Sequence, residues 1–356
     1  MKRKTLTTAI VAGLTGVAGM VGVANAVNIN PDGLGQVLIY PYYTARGGND
    51  TLISVVNTTS AAKAVKVRFL EALNSREVLD FNLYLSGFDV WTAAITPVDD
   101  GVPGIVTTDT SCTVPYFFGN TDGVQNFLPF GFQGNLDDDG PQGIERTASG
   151  YIEIIEMGTL VDTEIELDTG EEDEDGEPIT FTPTPATAAT HTDDGTPADC
   201  QELVDAWSIP VSGGLLDIGP ENYWIFGGPS VGVEAPSGGI FGASSIINVA
   251  EGTMFSYNAT AISNFSVAQL HSNPGTLEPD LDSVNQVDVN GDPVNRSNVF
   301  VEGSPSVLES DWQTGVEAVS AVLTKDAIYN EYVLGGIATA RSEWVVTLPT
   351  KRFYAD

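Results

Sequence analysis

The stretch "KAVKVRFLEALNSREVLDFNLYLS", Lys63 to Ser86, constrains this chain more than any other. Val65, Val67 and Phe69 share one face of an extended backbone, with Lys66 and Arg68 opposite. Leu79, Phe81, Leu83 and Leu85 repeat the pattern, with Asp80, Asn82 and Tyr84 on the other side. Period two with one apolar face predicts half-buried antiparallel strands. The polar "NSRE" between them is short enough to close a hairpin. "VLIYPYYT", "TLISVVNTT" and "DVWTAAI" add further runs rich in β-branched and aromatic residues. Strands at roughly ten-residue spacing predict a sandwich or a barrel.

Beyond Ile95 the pattern loosens. Residues 97–150 are rich in Gly, Asp and Pro and predict long loops that carry Cys112. "GYIEIIEMGTLVDTEIEL" returns to strand character, and "PITFTP" could pair back across six acids in the seven residues Glu171 to Glu177. The "TPTPATAATHTDDGTPADC" that follows reads as an extended linker, with His191 held by nothing rigid. Protease is then expected to nick between Glu171 and Asp194. A short helix is expected within Glu202–Leu216. "NYWIFGG", "GGIFGASSIINVAEG" and "TMFSYNATAISNF" read as strands, and Asn290-Gly291 within "NQVDVNGDPVNRSNVFV" predicts a hairpin. Val316, Val319 and Leu323 stand at helical spacing, with Ile328 and Tyr332 continuing it as a second or kinked helix, and "SEWVVTLPT" predicts a last strand. The expected fold is mainly β: an antiparallel β-sandwich with long acidic loops and a short C-terminal helical segment. Residues 27–356 would form one large β-rich domain, with a loop-rich acidic insertion at about 97–220.

Lys2, Arg3 and Lys4 precede an apolar run from Ala9 to about Val23, and Ala24-Asn25-Ala26 supplies small residues for cleavage. Residues 1–26 are therefore expected to be a signal peptide for the Sec route. No later run is long and apolar enough to span a membrane as a helix.

Charge narrows the partners. The chain has 14 Lys+Arg against 48 Asp+Glu, a net of −34. Loss of Lys2, Arg3 and Lys4 with the signal peptide would take this to −37. So acidic a surface repels phosphate backbones, which excludes nucleic acid as a partner. It favours cations instead. Cys112 and Cys200 are the two cysteines. In an exported chain such a pair most often forms a disulfide.

Catalytic motifs are absent. There are two histidines, His191 and His271, and no GxSxG, HExxH, P-loop or dinucleotide fingerprint. A pair of carboxylates could still hydrolyse glycosides, but 48 acids nominate no particular pair. No cofactor is implied apart from calcium, which wants six to eight hard oxygens. Asp288, Asn290 and Asp292 stand at the first, third and fifth places of an EF-hand-like loop. Pro293 stands where that loop needs Gly, and Val299 where it needs the closing carboxylate. Asp137, Asp138 and Asp139 lie in a second Gly-containing loop that could offer a shallow calcium site.

"GLGQVLIYPYYTARGGNDTLISVVNTT", "KAVKVRFLEALNSREVLDFNLYLSGFDVW", "IINVAEGTMFSYNATAI" and "EWVVTLPTKRFY" resemble blocks of an uncharacterised family of exported, cell-surface proteins of Gram-negative bacteria. The resemblance implies a secreted or cell-surface location and assigns no site. The expectation is a non-catalytic structural or adhesion protein, calcium-assisted, with other copies of itself or cell-surface polysaccharide as partners. The alternatives are a porin-like outer-membrane barrel and an extracellular carbohydrate-active enzyme.

Overall fold

The computed structural model describes residues 26–98, 101–117, 123–164, 167–172, 178–209, 211–212, 215–216, 220–301, 306–329 and 343–354. The expected signal peptide up to residue 25 and the acidic tip at 173–177 lie outside the described residues. So does Tyr332, expected to continue the C-terminal helix.

Two antiparallel sheets stack face to face. The first runs in the order Asn28–Ile29, Thr260–Ser263, Val37–Thr44, Ser149–Leu160, Lys63–Glu71, Glu77–Leu85 and Cys112–Val114, with Val233–Glu234 paired beside Ser149–Leu160. The second runs Thr253–Asn258, Ile240–Asn248, Asn49–Asn57, Val90–Pro97, Pro103–Val106 and Val124–Asn126. Neither closes into a barrel, and the architecture is a β-sandwich. Between the sheets lie Leu38, Tyr40, Val65, Val67, Phe69, Phe81, Ile152 and Ile154 from one side. Ile53, Val55, Trp91, Ala93 and Ile95 meet them from the other. Gly242 permits one close approach: a Cβ there would sit 2.0 Å from the Tyr40 hydroxyl, which bonds to the Ser54 carbonyl at 2.7 Å.

The two sheets differ in what covers their outer faces. In the second sheet the alternation is clean: Thr51, Ile53 and Val55 are buried, while Leu52 is exposed and Ser54 and Val56 are half-buried. The first sheet is covered on both sides, and every residue of Lys63–Glu71 is buried. The expectation of a half-buried strand is therefore corrected here, since Lys66 and Arg68, opposite the apolar face, are buried too. Continuous apolar runs such as "VLIY" reflect the same double burial: Leu38 and Tyr40 face the sandwich, while Val37 and Ile39 face outward under further chain.

Two units cover that outer face. The helix Gly315–Leu323 begins with a capping box, in which Thr314 and Glu317 satisfy each other's backbone N–H groups. Its Val316, Ala318, Val319 and Val322 are buried, and the last three pack with Val27, Val37, Ile39, Phe265 and Leu281. It ends at Leu323, so Ile328 is an exposed residue of irregular chain instead of a second helical turn. At the other end, short helices Pro185–Ala189, Cys200–Asp205 and Tyr223–Phe226 bury Ala188, Ala189, Leu203, Tyr223 and Trp224 against Tyr84, Cys112 and Met157.

That second unit corrects several expectations. Leu167–Glu172 does pair with Pro178–Phe181, as the hairpin reading required. The stretch after it is no extended linker: Pro185 starts a helix at its first turn, where proline is favoured, and Asp199 caps the next one through the Glu202 N–H. Within the expected protease-sensitive window the helix Pro185–Ala189 is therefore packed, while Thr192, Asp193 and Asp194 lie exposed in or beside a turn. Tyr223–Phe226 is a helical turn and not a strand. Of "SEWVVTLPT", residues 343–350 are described and form no strand. This segment runs beside the sheet, where the Thr347 hydroxyl donates to the Pro41 carbonyl and the Pro349 carbonyl accepts from the Tyr151 hydroxyl at 3.4 Å.

Cys112 and Cys200 are joined, with Cα atoms 5.4 Å apart and 88 residues enclosed. The bond ties the helical unit to the edge strand Cys112–Val114. Loop-closure entropy over such a length is worth about 4–5 kcal/mol. Replacing both cysteines by serine should lower unfolding free energy by up to that amount, read by urea titration at neutral pH.

Candidate functional site

Alternation along the first sheet sends Lys66, Arg68, Asp80, Asn82 and Glu153 to its outer face, between the two covering units. Charges taken out of water must find partners, and these do. Arg68 donates from Nε to Glu77 at 2.7 Å and from Nη1 to Glu153 at 3.0 Å. Arg352, from the C-terminal segment, comes within 3.5 Å of both Glu153 and Asp280. Lys66 pairs with Asp80 and donates to the carbonyls of Pro274 and Thr276 at 3.0 and 2.9 Å. At one end Lys63 and Glu156 pair at 2.7 Å, with the N–H groups of Ser237 and Gly238 also bonded to Glu156. At the other, Arg146 holds Glu71 and Asp138.

Burial pushes the Glu153 and Glu156 carboxyls above the ordinary range against the pull of Arg68 and Lys63. Burial, reinforced by Glu77, raises Asp80 to about 6 despite Lys66. Hydrogen bonds from Arg146 hold Asp138 well below the ordinary range.

Two adjoining clefts, of about 730 and 490 Å³, open on this face and share Ser75, Arg76 and Arg352. Asp138, Tyr151, Val345 and Leu348 help line the larger, and Glu77, Asp80, Phe117 and Leu277 the smaller. The Nε atoms of Arg76 and Arg352 are buried without a hydrogen-bond partner among the described residues. Arg76 Nε faces the Asp138 carboxylate at 3.6 Å, and it is the exposed remainder of the two guanidinium groups that the clefts present to an acceptor-rich ligand. Glu77 and Asp80 are the kind of pair a glycosidase uses, but each is already bound to a cation of the sheet.

The histidines are structural. His271 is 3% exposed, boxed by Tyr84, Trp207 and Trp224. Its Nδ1 lies 2.8 Å from the Pro229 carbonyl, which can only accept, so Nδ1 carries the proton. Nε2 therefore accepts from the Tyr84 hydroxyl at 3.0 Å, and Tyr84 in turn accepts from Trp207 Nε1 at 2.9 Å. Nothing in this chain of bonds is left over for a substrate. His191, expected to be loosely held, is fixed by Ser86 at 2.9 Å with Asp89 at 3.4 Å. Both reach the same nitrogen, Nδ1, whereas a Ser-His-Asp relay needs them on opposite ring nitrogens.

The calcium loops fold otherwise. Asp138 is committed to Arg146 and Asn74, while Asp137 accepts from the Asp139 N–H. Asp288 turns its carboxylate onto the N–H groups of Asn290 and Asp292 at 2.8 and 3.0 Å, which holds its pKa below the ordinary range. The hairpin at Asn290-Gly291 is present, with Gln286–Val287 paired to Pro293–Phe300. Among the described residues no group of three or more His, Cys, Asp or Glu side chains is placed to hold a metal ion.

No protein-family model, no curated protein and no solved structure matches this chain. None of the helices among the described residues is long and apolar enough to cross a membrane.

Two predictions follow from the buried groups. Arg68→Met should cost about 3 kcal/mol, because Glu153 stays buried with only the more distant Arg352, at 3.5 Å, to offset its charge. Adding Glu153→Leu should recover part of that loss; urea titration of both variants reads it. The second concerns acid. Burial lowers the His271 pKa to about 4 from 6.5, so in that window the unfolded chain binds a proton that the folded chain does not. Stability from this group is complete above pH 6.5 and lost as pH falls towards 4. Between pH 7 and 5 the native protein should lose about 2 kcal/mol more than His271→Asn does, measured by paired urea titrations.

Proposed function

We propose that this chain is a non-catalytic exported protein of the Gram-negative cell surface, with a structural or adhesive role. The observation that carries the reading is the contrast between its surfaces. The charge is overwhelmingly acidic, yet among the described residues the outer face of the second sheet carries an open neutral patch of Leu52, Ser54, Val56, Thr92, Ala94 and Ser245, with Asp50 next along the same face. An enzyme keeps titratable groups poised at a cleft; here the buried ones are tied to each other or to the backbone. A structural component needs stable faces, and this fold supplies a disulfide-linked β-sandwich with one open neutral patch. Export is supported by the basic-apolar-small leader and by the Cys112–Cys200 disulfide, a bond suited to an oxidising compartment.

Fractionation of producing cells, with and without EDTA, tests this. The protein should be recovered with the cell surface or the medium, and EDTA should increase release if divalent cations assist retention. Recovery in the cytoplasm, or ion-conducting pores in planar bilayers, would overturn the reading.

A second reading concerns polysaccharide. The partly exposed guanidinium groups of Arg76 and Arg352 at the clefts favour a ligand dense in hydroxyl or carboxylate oxygens. Arg76→Ala should weaken retention on an acidic polysaccharide column without lowering stability, since its side chain is 42% exposed.

A further inference from the structure

We infer that Lys66 and Asp80 condense into an amide once the chain has folded, a covalent cross-link between the strands Lys63–Glu71 and Glu77–Leu85. The inference goes beyond the surface-component reading and stands on local geometry.

Across the hairpin Lys66 faces Asn82, and Arg68 faces Asp80. Lys66 and Asp80 are therefore diagonal neighbours on the outer face of the first sheet, a spacing that a long side chain can bridge. Lys66 Nζ lies against Asp80 Oδ2, with the lysine side chain wholly buried and the aspartate side chain 20% exposed. Yet Oδ2 is a buried oxygen without a directed hydrogen bond among the described residues. The N–H groups of Lys66 go elsewhere, to the carbonyls of Pro274 and Thr276 at 3.0 and 2.9 Å. A neutral amine has two N–H groups and one lone pair. With both N–H groups held by carbonyls, the lone pair is left to face the Asp80 carboxyl.

The surroundings favour the uncharged forms. Burial lowers the Lys66 pKa, and burial with the Glu77 charge raises that of Asp80 to about 6. A neutral amine beside a protonated carboxyl is the reactive pair. Nζ attacks Cγ, so that an Nζ–Cγ bond forms and the Cγ–OH bond breaks. The departing hydroxyl takes a proton from Nζ and leaves as water, and no outside reagent is consumed. Asp80 lines the smaller cleft, which gives that water a way out. The amide keeps one N–H for one of the two carbonyls. Holding the groups in contact supplies the effective concentration that separate molecules lack.

Lys63 provides a contrast on the same sheet. It donates to Glu156 at 2.7 Å and to Ser237 Oγ at 2.6 Å, and the N–H groups of Ser237 and Gly238 also donate to Glu156. Burial raises Glu156 too, but directed hydrogen bonds of this kind favour the carboxylate, the form that does not condense. Arg68 and Arg146 carry guanidinium groups, which stay protonated. One cross-link is expected, not several.

Mass spectrometry of the mature protein, reduced and denatured, reads the bond. The chain should be lighter than its sequence by one water. Peptide mapping should place that loss on a branched peptide joining Lys66 to Asp80. Chain recovered unfolded in urea should have its full mass and lose water only after refolding. Lys66→Arg should keep its full mass when folded; should that variant fail to fold, the branched peptide of the native chain decides. The inference is overturned if the native chain has its full mass, if the loss maps elsewhere, or if it persists in Lys66→Arg, as a succinimide at an Asp-Gly step would. A chain of full mass that still fractionates with the cell surface removes this inference and leaves the proposed function standing.

Discussion

The pair Arg68–Glu153 lies at the centre of everything the first sheet must do. These side chains come from the neighbouring strands Lys63–Glu71 and Ser149–Leu160, on the face away from the sandwich core. Because further chain covers that face, neither charge can reach water, and each fixes the other. Glu77 and Arg352 extend the pair along and above the sheet, so strand order, the covering layer and the C-terminal segment are joined at one place. Apolar packing would hold these elements with less directional demand; the ion pairs accept one register. A one-residue slip of Lys63–Glu71 would turn Arg68 into the sandwich and Phe69 out of it.

The scarcity of cations gives this layer its second meaning. In a chain with 14 basic residues, Lys63, Lys66, Arg68, Arg146 and Arg352 are all drawn into pairs with acids on or beside the first sheet. Fewer remain to offset the acids elsewhere. Each paired base takes an acid with it, so the acidity of the exterior comes from the excess of Asp and Glu in the sequence. Such an exterior keeps copies apart except where no charge stands, which makes the neutral parts of the second sheet unusual on this molecule.

The strands from Val37 to Pro97 were legible because their alternation reports one buried face directly, and Trp91, Ala93 and Ile95 lie where period two puts them. What alternation cannot report is whether the polar face is wet. Lys66 and Arg68 read as the open side of a half-buried strand, and only the arrival of Asp280 and Arg352 from about 200 residues or more away along the chain reverses that. The Pro/Thr/Ala stretch failed for a related reason. Ala188 and Ala189 are too small to mark a core on their own, yet they pack closely because the disulfide and the aromatic cluster of Tyr84, Trp207 and Trp224 stand over them. His191 was misread with them; its fixing bond comes from Ser86, 105 residues earlier.

Of the candidate sites, the cysteine pair was legible, while the two oxygen-rich loops left a turn and a cation loop both open. Oxygen-bearing residues at alternate positions are a pattern shared by cation loops and by Asx-type turns. Asp288 chose the turn because Pro293 and Val299 deny the loop its bend and its closing carboxylate, leaving backbone N–H groups as the nearest donors. Asp138 was taken by Arg146, a base that follows it by eight residues and returns to it through the turn at Ile144–Ala148. In both loops a fixed donor from the protein itself occupies the carboxylate that a cation would have used, and a donor already in place costs no dehydration of an incoming ion.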